Sequence, residues 1–422
     1  MERSITARPQ RRMGTGFVSL LVCAALSASA AGCAEEDGQT QGPTATQRQG
    51  AVTHYAALVY ASYQESAARV DALKAAIDAF LDAPSAQTHQ AAKDAWNSAR
   101  EVYGQTEGFR FYGGPIDSED GPEGRINAWP LDENFIDYTR AGAGLEVQMT
   151  GIINDPAAYP EITAEALIEH NTATGDKNVS LGFHAVEFLL WGQDFNADGP
   201  GDRAYTDYLT GADATAPNGD RRAQYLRVAT EQLRADLQEV LAAWAPDVAG
   251  NYRAQMSAED PSAALRKVFQ GIGTLSGAEL SQERAFTAYA EQDQEQEHSC
   301  FSDTTHRDML ANALSIQNIF EGRAGTFDDA TRFIGPEAGT SLYALISAAD
   351  PALAERIRAE LQAAVDAAKA IPAPFDRAIL PDNPEGRAKL LAFVESLEEA
   401  TKGLVAGAAA LGIKDLNTEL PE

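Results

Sequence analysis

The sequence predicts an all-α protein built from helical bundles. Apolar residues recur at three- and four-residue spacing through long runs, no alternating strand pattern of any length occurs, and alanine is abundant throughout. At 422 residues the chain is long enough for about two to three domains and a sizeable core.

Taken in order, the chain opens outside that core. Arg3, Arg8, Arg11 and Arg12 make a basic start, Phe17 to Ala31 is an apolar run, and Ala30-Ala31-Gly32-Cys33 closes it with small residues. This is the layout of an exported precursor rather than a spanning helix. Small residues just before a cysteine resemble a bacterial lipoprotein cleavage site. Residues 1–33 therefore read as a signal peptide that leaves Cys33 lipidated, the alternative being an ordinary signal peptide cut nearby. No other apolar run approaches the roughly 20 residues of a membrane span. Residues 34–50 are polar and read as a flexible tether.

From Ala51 to Asp82 apolar residues recur at helical intervals until Pro84, and a second helix is expected over Gln87–Glu107 with Trp96 and Tyr103 on its inner face. A Gly- and Pro-rich loop follows from Gly113 to Tyr138, a length that is often functional. Helices are expected again at Asn134–Ile153, Ile162–Glu169, Leu181–Trp191, Asp220–Trp244 and Ser262–Gln292. The last set covers Thr305–Phe320, Gly339–Ser347, Pro351–Ala370 and Pro384–Leu411. The polar loop GADATAPNGD suggests a division into an N-terminal bundle over 51–210 and a C-terminal bundle over 211–422.

Composition excludes some functions. Residues 1–32 hold four Arg and one Glu, so a chain beginning at Cys33 keeps 29 of the 33 Lys and Arg against 61 of the 62 Asp and Glu, a net charge of −32. Such a surface repels nucleic acid and anionic lipid. With Cys23 in the signal and Cys33 lipidated, Cys300 stands alone, so no internal disulfide and no cysteine zinc cluster can form.

The central run LGFHAVEFLLWGQD, Leu181 to Asp194, is apolar on all sides and is expected to be buried, with Gly192 ending its helix. His184 and Glu187 interrupt it one turn apart, together with Leu181 and Trp191 on one face. A His and a Glu carried into a core cost several kcal/mol, of order, unless paired, hydrogen-bonded or bound to a cation. The pair is thus either a structural His–Glu contact or a metal-ligand pair of the kind that carboxylate bundles carry in the reverse order.

Three polar segments add candidates. Glu107, Arg110, Asp117, Glu119, Asp132, Glu133 and Asp137 are concentrated among Phe109, Phe111, Trp129 and Phe135, either over a pocket or as a solvated acidic loop. Asp194-Phe195-Asn196-Ala197-Asp198-Gly199 matches the first half of a calcium-binding EF-hand loop. Its twelfth position is Tyr205 rather than Glu, and Pro200 follows the glycine, so it reads as a helix-ending turn with calcium as the alternative. The third segment, EQEHSCFSDTTHRD, carries Glu297, His298, Ser302, Asp303, His306 and Asp308. Ser302 or Asp303 could cap the following helix and place His306 in its first turn. Imidazole and carboxylate without thiolate suit iron, zinc, copper or manganese. No H-E-x-x-H, G-x-S-x-G or phosphate-binding glycine loop is present.

These residues carry a resemblance. GFHAVEFLLWGQD is similar to the G-x-H-x-x-E-F-L-L-W-G signature of the imelysin family, peptidase family M75, and FRFYGGPID, INAWPLDENFIDY and EHSCFSDTTHRD resemble further stretches typical of it, from about residue 51 to the C-terminus. The resemblance implies two bundle-like halves from an ancient duplication with a site between them. It assigns the family's His-x-x-Glu to His184 and Glu187 and its second polar block to Ser302, Asp303 and His306. It further implies an envelope protein, lipid-anchored at the outer membrane and facing the periplasm, that binds a metal ion, iron first with zinc or copper as alternatives. Its partners would be iron-uptake membrane proteins. Two other functions stay open. One is a zinc metallopeptidase using Glu187 as ligand or base, which needs a third protein ligand and an open water position. The other is a polymer- or protein-binding module in which the His–Glu pair is structural.

Overall fold

A computed structural model describes residues 42–323 and 340–420. The expected signal peptide, Cys33 and residues 34–41 of the expected tether lie outside these residues. The first helix, α1, covers Ala45–Asp82 and begins six residues earlier than its apolar periodicity does. The reason is a capping box: the Thr44 hydroxyl accepts the Gln47 backbone N–H, and the Gln47 side chain accepts the Thr44 backbone N–H at 2.8 Å. The polar residues 45–50 are therefore helical rather than part of a tether.

A second capping box, Ser85 with Thr88, starts α2 (Ala86–Gly104). The long loop then holds two single-turn helices, α3 (Glu123–Ile126) and α4 (Glu133–Ile136). The helix expected over Asn134–Ile153 does not form. Strands β1 (Thr139–Arg140) and β2 (Val147–Gln148) pair antiparallel in its place, followed by α5 (Gly151–Asn154). Tertiary pairing overrides the local pattern, because Asp137 is taken up at the end of α4 by Arg203 and Arg222 in the core.

Next come α6 (Ala164–His170), α7 (Gly182–Trp191), α8 (Gly219–Ala243), α9 (Tyr252–Ala258) and α10 (Pro261–Thr274). The helix runs on from α10 through a π-helical stretch, Leu275–Phe286, into α11 (Thr287–Glu291). Helix α12 is Thr305–Glu321, α13 Leu342–Ala349, α14 Pro351–Lys369, α15 Phe375–Ile379 and α16 Pro384–Ala410. Among the described residues the fold is all-α apart from that small hairpin.

Helix α1 packs along α2 and α8, α16 along α14 and the π-helical stretch, and α12 against α14 and α2. Helix α7 sits against α2, α3 and α8. One core cluster extends from Ala51 to Ile413, with Trp96, Tyr63, Phe183, Phe269 and Phe375 among its fully buried side chains. The boundary expected near residue 210 falls in the loop before α8, and α8 itself packs on α1 and α7. No described helix is long and apolar enough to cross a membrane.

Candidate functional site

Helix α7 places the site because every one of its ten residues is buried. Its start depends on Gly182, at φ 91°, where a Cβ would stand 2.6 Å from the Ile126 carbonyl oxygen. Only glycine allows that approach. Gly192, at φ 72°, ends the helix.

Between them His184 Nδ1 lies 3.0 Å from Glu187 Oε2. Glu187 Oε1 accepts two hydrogen bonds from Ser302, from its backbone N–H at 2.9 Å and its hydroxyl at 2.6 Å. The chain's two polar segments therefore do meet, through Ser302. Burial, reinforced by Asp308, pushes the Glu187 carboxyl up to about 8 against the opposing pull of Ser302. His184 Nε2 is buried and has no partner. Its ring faces that of His298, centroids 4.9 Å apart. Burial, with Arg100 and Arg284 nearby, holds both imidazoles well below the ordinary histidine range. They are neutral at pH 7, the form that binds metals.

A buried polar network extends from His298. Arg100 Nη2 stands 2.9 Å from His298 Nδ1, and Arg100 Nε donates to Asp308 Oδ1 at 2.8 Å. Arg100 also donates to Asn127, which reaches Glu107. Glu107 accepts from Arg110 and Arg284, each at 2.8 Å. Burial alone would raise its carboxyl, but Arg110, Arg284 and Arg100 outweigh it and bring the carboxyl down to about 2. Arg284 Nη1 donates to Asn312 at 2.6 Å. A cavity of about 330 Å³ opens on this network, lined by Arg110, Asn127, Trp129, Glu279, Arg284 and His298 among others. The network gives it a wall of fixed charge beside the His184–Glu187 pair.

The remaining candidates divide. Asp117 accepts the backbone N–H groups of Phe111 and Gly114, and Asp132 caps α4 through Asn134, so both shape the loop. Glu133 is half-buried and is raised to about 7 by burial and by Glu295. Asp303 and His306 do not join His184 and Glu187. Among the described residues no group of three His, Cys, Asp or Glu has metal-ligand geometry. The electrostatic neighbours of Asp303 are instead Asp194 and Asp376. His306 does lie in the first turn of α12, but the capping position is Thr304, without a side-chain cap. The Ser302 hydroxyl is engaged by Glu187 and Thr304. The Asp194–Gly199 stretch forms a turn after α7, as read, and Asp194 Oδ1 accepts the Asn196 N–H at 2.8 Å.

Sequence reading missed Arg100, Asn127 and Arg284. Arg100 carried a signal, since it shares the inner face of α2 with Trp96 and Tyr103 and is 3% exposed. Arg284 carried none at helical spacing. It reaches Glu279, five residues earlier, at 2.7 Å, because the backbone there is π-helical.

Comparison with known proteins bears on the family and the fold. The family model described as imelysin, peptidase M75, matches residues 59–404. A curated protein from Synechococcus elongatus called iron-regulated protein A is 27% identical over 393 residues, 91% of this chain and 89% of that one. A crystal structure from Parabacteroides distasonis, described as an iron-regulated protein A precursor, superposes with a TM-score of 0.66 at 20% identity, covering 88% of this chain and 96% of that one. An imelysin-like protein from Psychrobacter arcticum gives 0.59 at 16% identity, covering 88% and 97%. At these identities the two structures speak for the fold.

Proposed function

The chain belongs to the imelysin family, peptidase family M75, and from that premise we propose that it is an iron-linked envelope protein that captures a metal ion beside His184 and Glu187. The observation that carries this is the partnerless, buried His184 Nε2, which faces a second neutral imidazole next to a carboxylate. A buried ring nitrogen without a partner is an anomaly, and a cation bound at Nε2 would resolve it by displacing the Glu187 proton, so that Nδ1–H donates to the ionised carboxylate. Imidazole and carboxylate suit borderline ions, with iron favoured by the relative named for iron regulation and zinc or copper within the same donor chemistry. Since no three ligands stand ready-made among the described residues, solvent would complete the shell, and His298 would join it only by giving up the hydrogen bond that its Nδ1 accepts from Arg100. Ser302 would orient Glu187 from behind.

Iron is the cargo of this site rather than a resident cofactor. A lipid anchor at Cys33, an outer-membrane position facing the periplasm and iron-uptake membrane proteins as recipients form the rest of the proposal. They rest on the export-type start of the sequence, the lipobox-like small residues and the relative described as a precursor. A zinc peptidase is the second reading, favoured by a Glu187 carboxyl that titrates near neutrality, where general acid–base work is done.

Titration of metal-free protein with Fe²⁺, Zn²⁺ and Cu²⁺ by calorimetry tests the proposal. The expected result is one ion bound with micromolar affinity or tighter, weakened roughly 10- to 100-fold by His184→Ala and by Glu187→Gln. Equal, weak binding by all three proteins would leave a structural pair and an acidic surface. Chelator-sensitive peptide cleavage lost in Glu187→Gln would move the reading to the peptidase.

A further inference from the structure

At the C-terminal end of α7 lies a cavity of about 60 Å³, lined by Tyr138, Arg140, Trp191, Gln193, Asp202 and Arg203 among others. It shares no lining residue with the cavity at His298. Arg203 is 1% exposed, and its Nε is buried without a hydrogen-bond partner. A charged donor buried without an acceptor is costly, and it calls for an explanation. Gly192 also lines the cavity, and a Cβ there would stand 3.4 Å from Arg203 Nε. The glycine thus leaves this edge of the guanidinium bare of any side chain.

Positive charge gathers at the same place. Arg140 lines the cavity beside Arg203, its backbone N–H donating to Gln193 Oε1 at 2.6 Å. Lys93 Nζ stands 5.2 Å from the centroid of the Trp191 ring. Burial brings the Lys93 ammonium down to about 8, with Asp202 opposing the fall and Arg203 adding to it. Arg203 and Arg222 share the carboxylate of Asp137, at 2.7 and 2.6 Å, and Asp207 is 3.7 Å from Arg203. In this group Lys93, Arg140, Arg203 and Arg222 outnumber Asp137, Asp202 and Asp207 by one charge, within a chain whose net charge is −29.

We propose that this cavity binds a small monovalent carboxylate of the formate or acetate class, with Arg203 Nε and Arg140 as donors and Lys93 as the nearby counter-charge. A guanidinium makes its strongest hydrogen bonds to such an anion. The volume equals roughly two water molecules at ~30 Å³ each, room for a planar anion of a few heavy atoms. Arg140, Asp202 and Phe195 are exposed and open the cavity to solvent. A single excess positive charge matches a monovalent ligand better than phosphate.

The test is tryptophan fluorescence, reporting through Trp191, together with thermal unfolding of the purified chain at pH 6.5. Sodium formate, acetate or phosphate replaces sodium chloride at constant ionic strength. Formate and acetate should give a saturable fluorescence change and a rise in Tm, and phosphate neither. Lys93→Gln and Arg140→Gln, neither of them a core residue, should each weaken the carboxylate response roughly three- to ten-fold. His184→Ala should leave it intact, so the outcome is independent of any metal bound beside Glu187. Responses that do not saturate, or that are equal in parent and both variants, would leave water as the occupant and overturn the site. Saturation by phosphate in preference to acetate would overturn the carboxylate assignment.

Discussion

His184 and Glu187 show how little a polar pair in a core says about itself until its other contacts are known. Both are buried and both point to each other, which a purely structural pair would also do. The distinction lies in Nε2, which a structural pair would satisfy and this one does not. Glu187 also fastens the loop before α12 through Ser302. Glu187→Ala should therefore leave two Ser302 donors and His184 without partners and cost about 1–3 kcal/mol, measured by urea unfolding. Glu187→Gln, which still accepts from Ser302, should cost much less, and equal losses for the two variants would contradict the role assigned to Ser302. Arg100 is the other sensitive position, bridging Asp308, Asn127 and His298 while 3% exposed. Arg100→Ala should cost about 3–5 kcal/mol by leaving Asp308 buried without its counter-charge. A loss under 1 kcal/mol would mean that water replaces the guanidinium.

Among the elements, α7 is the one whose local chemistry was legible throughout. Its apolar periphery, polar pair and terminal glycine all survive in the structure. The reason for its first glycine was hidden, because Ile126, which Gly182 approaches, is far away in sequence. Gly182→Ala should cost about 1–3 kcal/mol in backbone strain alone, with a further loss from the displaced α3–α7 contact. Chemical unfolding, together with a metal titration that weakens in step, would check it, and a neutral substitution would disprove the tight contact. The π-helical stretch is the opposite case. Its Glu279–Arg284 contact spans five residues, so a search for three- and four-residue spacing passes over it. The hairpin Thr139–Gln148 was missed for a related reason, since two residues per strand leave no period to read.

At the scale of the whole molecule, acidity becomes a pH dependence. Burial lifts Glu187 to about 8, Glu133 and Asp303 to about 7 and Asp194 to about 6. Each is raised above the ordinary carboxyl value of about 4, so the folded chain holds protons that the unfolded chain has released. That stabilisation is complete below about pH 4 and is lost as pH rises toward 8. Glu107, held at about 2 by three arginines, works the other way and loses its contribution as pH falls through that value. The buried neutral imidazoles of His89, His184 and His298 act the other way below about pH 6.5, where only the unfolded histidines gain protons. Stability in a chelating buffer should therefore decline from about pH 6.5 to 8, with a shallower slope in Asp303→Asn. Melting curves that are flat or rising over that window would refute the buried-acid account.

Periodicity and composition by themselves determined the helical class, the long helices and the burial of α7, because these depend on residues within a turn or two of one another. The meeting of Glu187 with Ser302 was also within reach, through resemblance across separate blocks. Only the tertiary structure decided that Asp303 and His306 form no metal-holding group with His184 and Glu187 among the described residues. It alone brought His298, Arg100 and Arg284 to the pair and left His184 Nε2 without a partner. Those outcomes depend on which distant segments share a buried volume, and spacing along the chain holds no record of that.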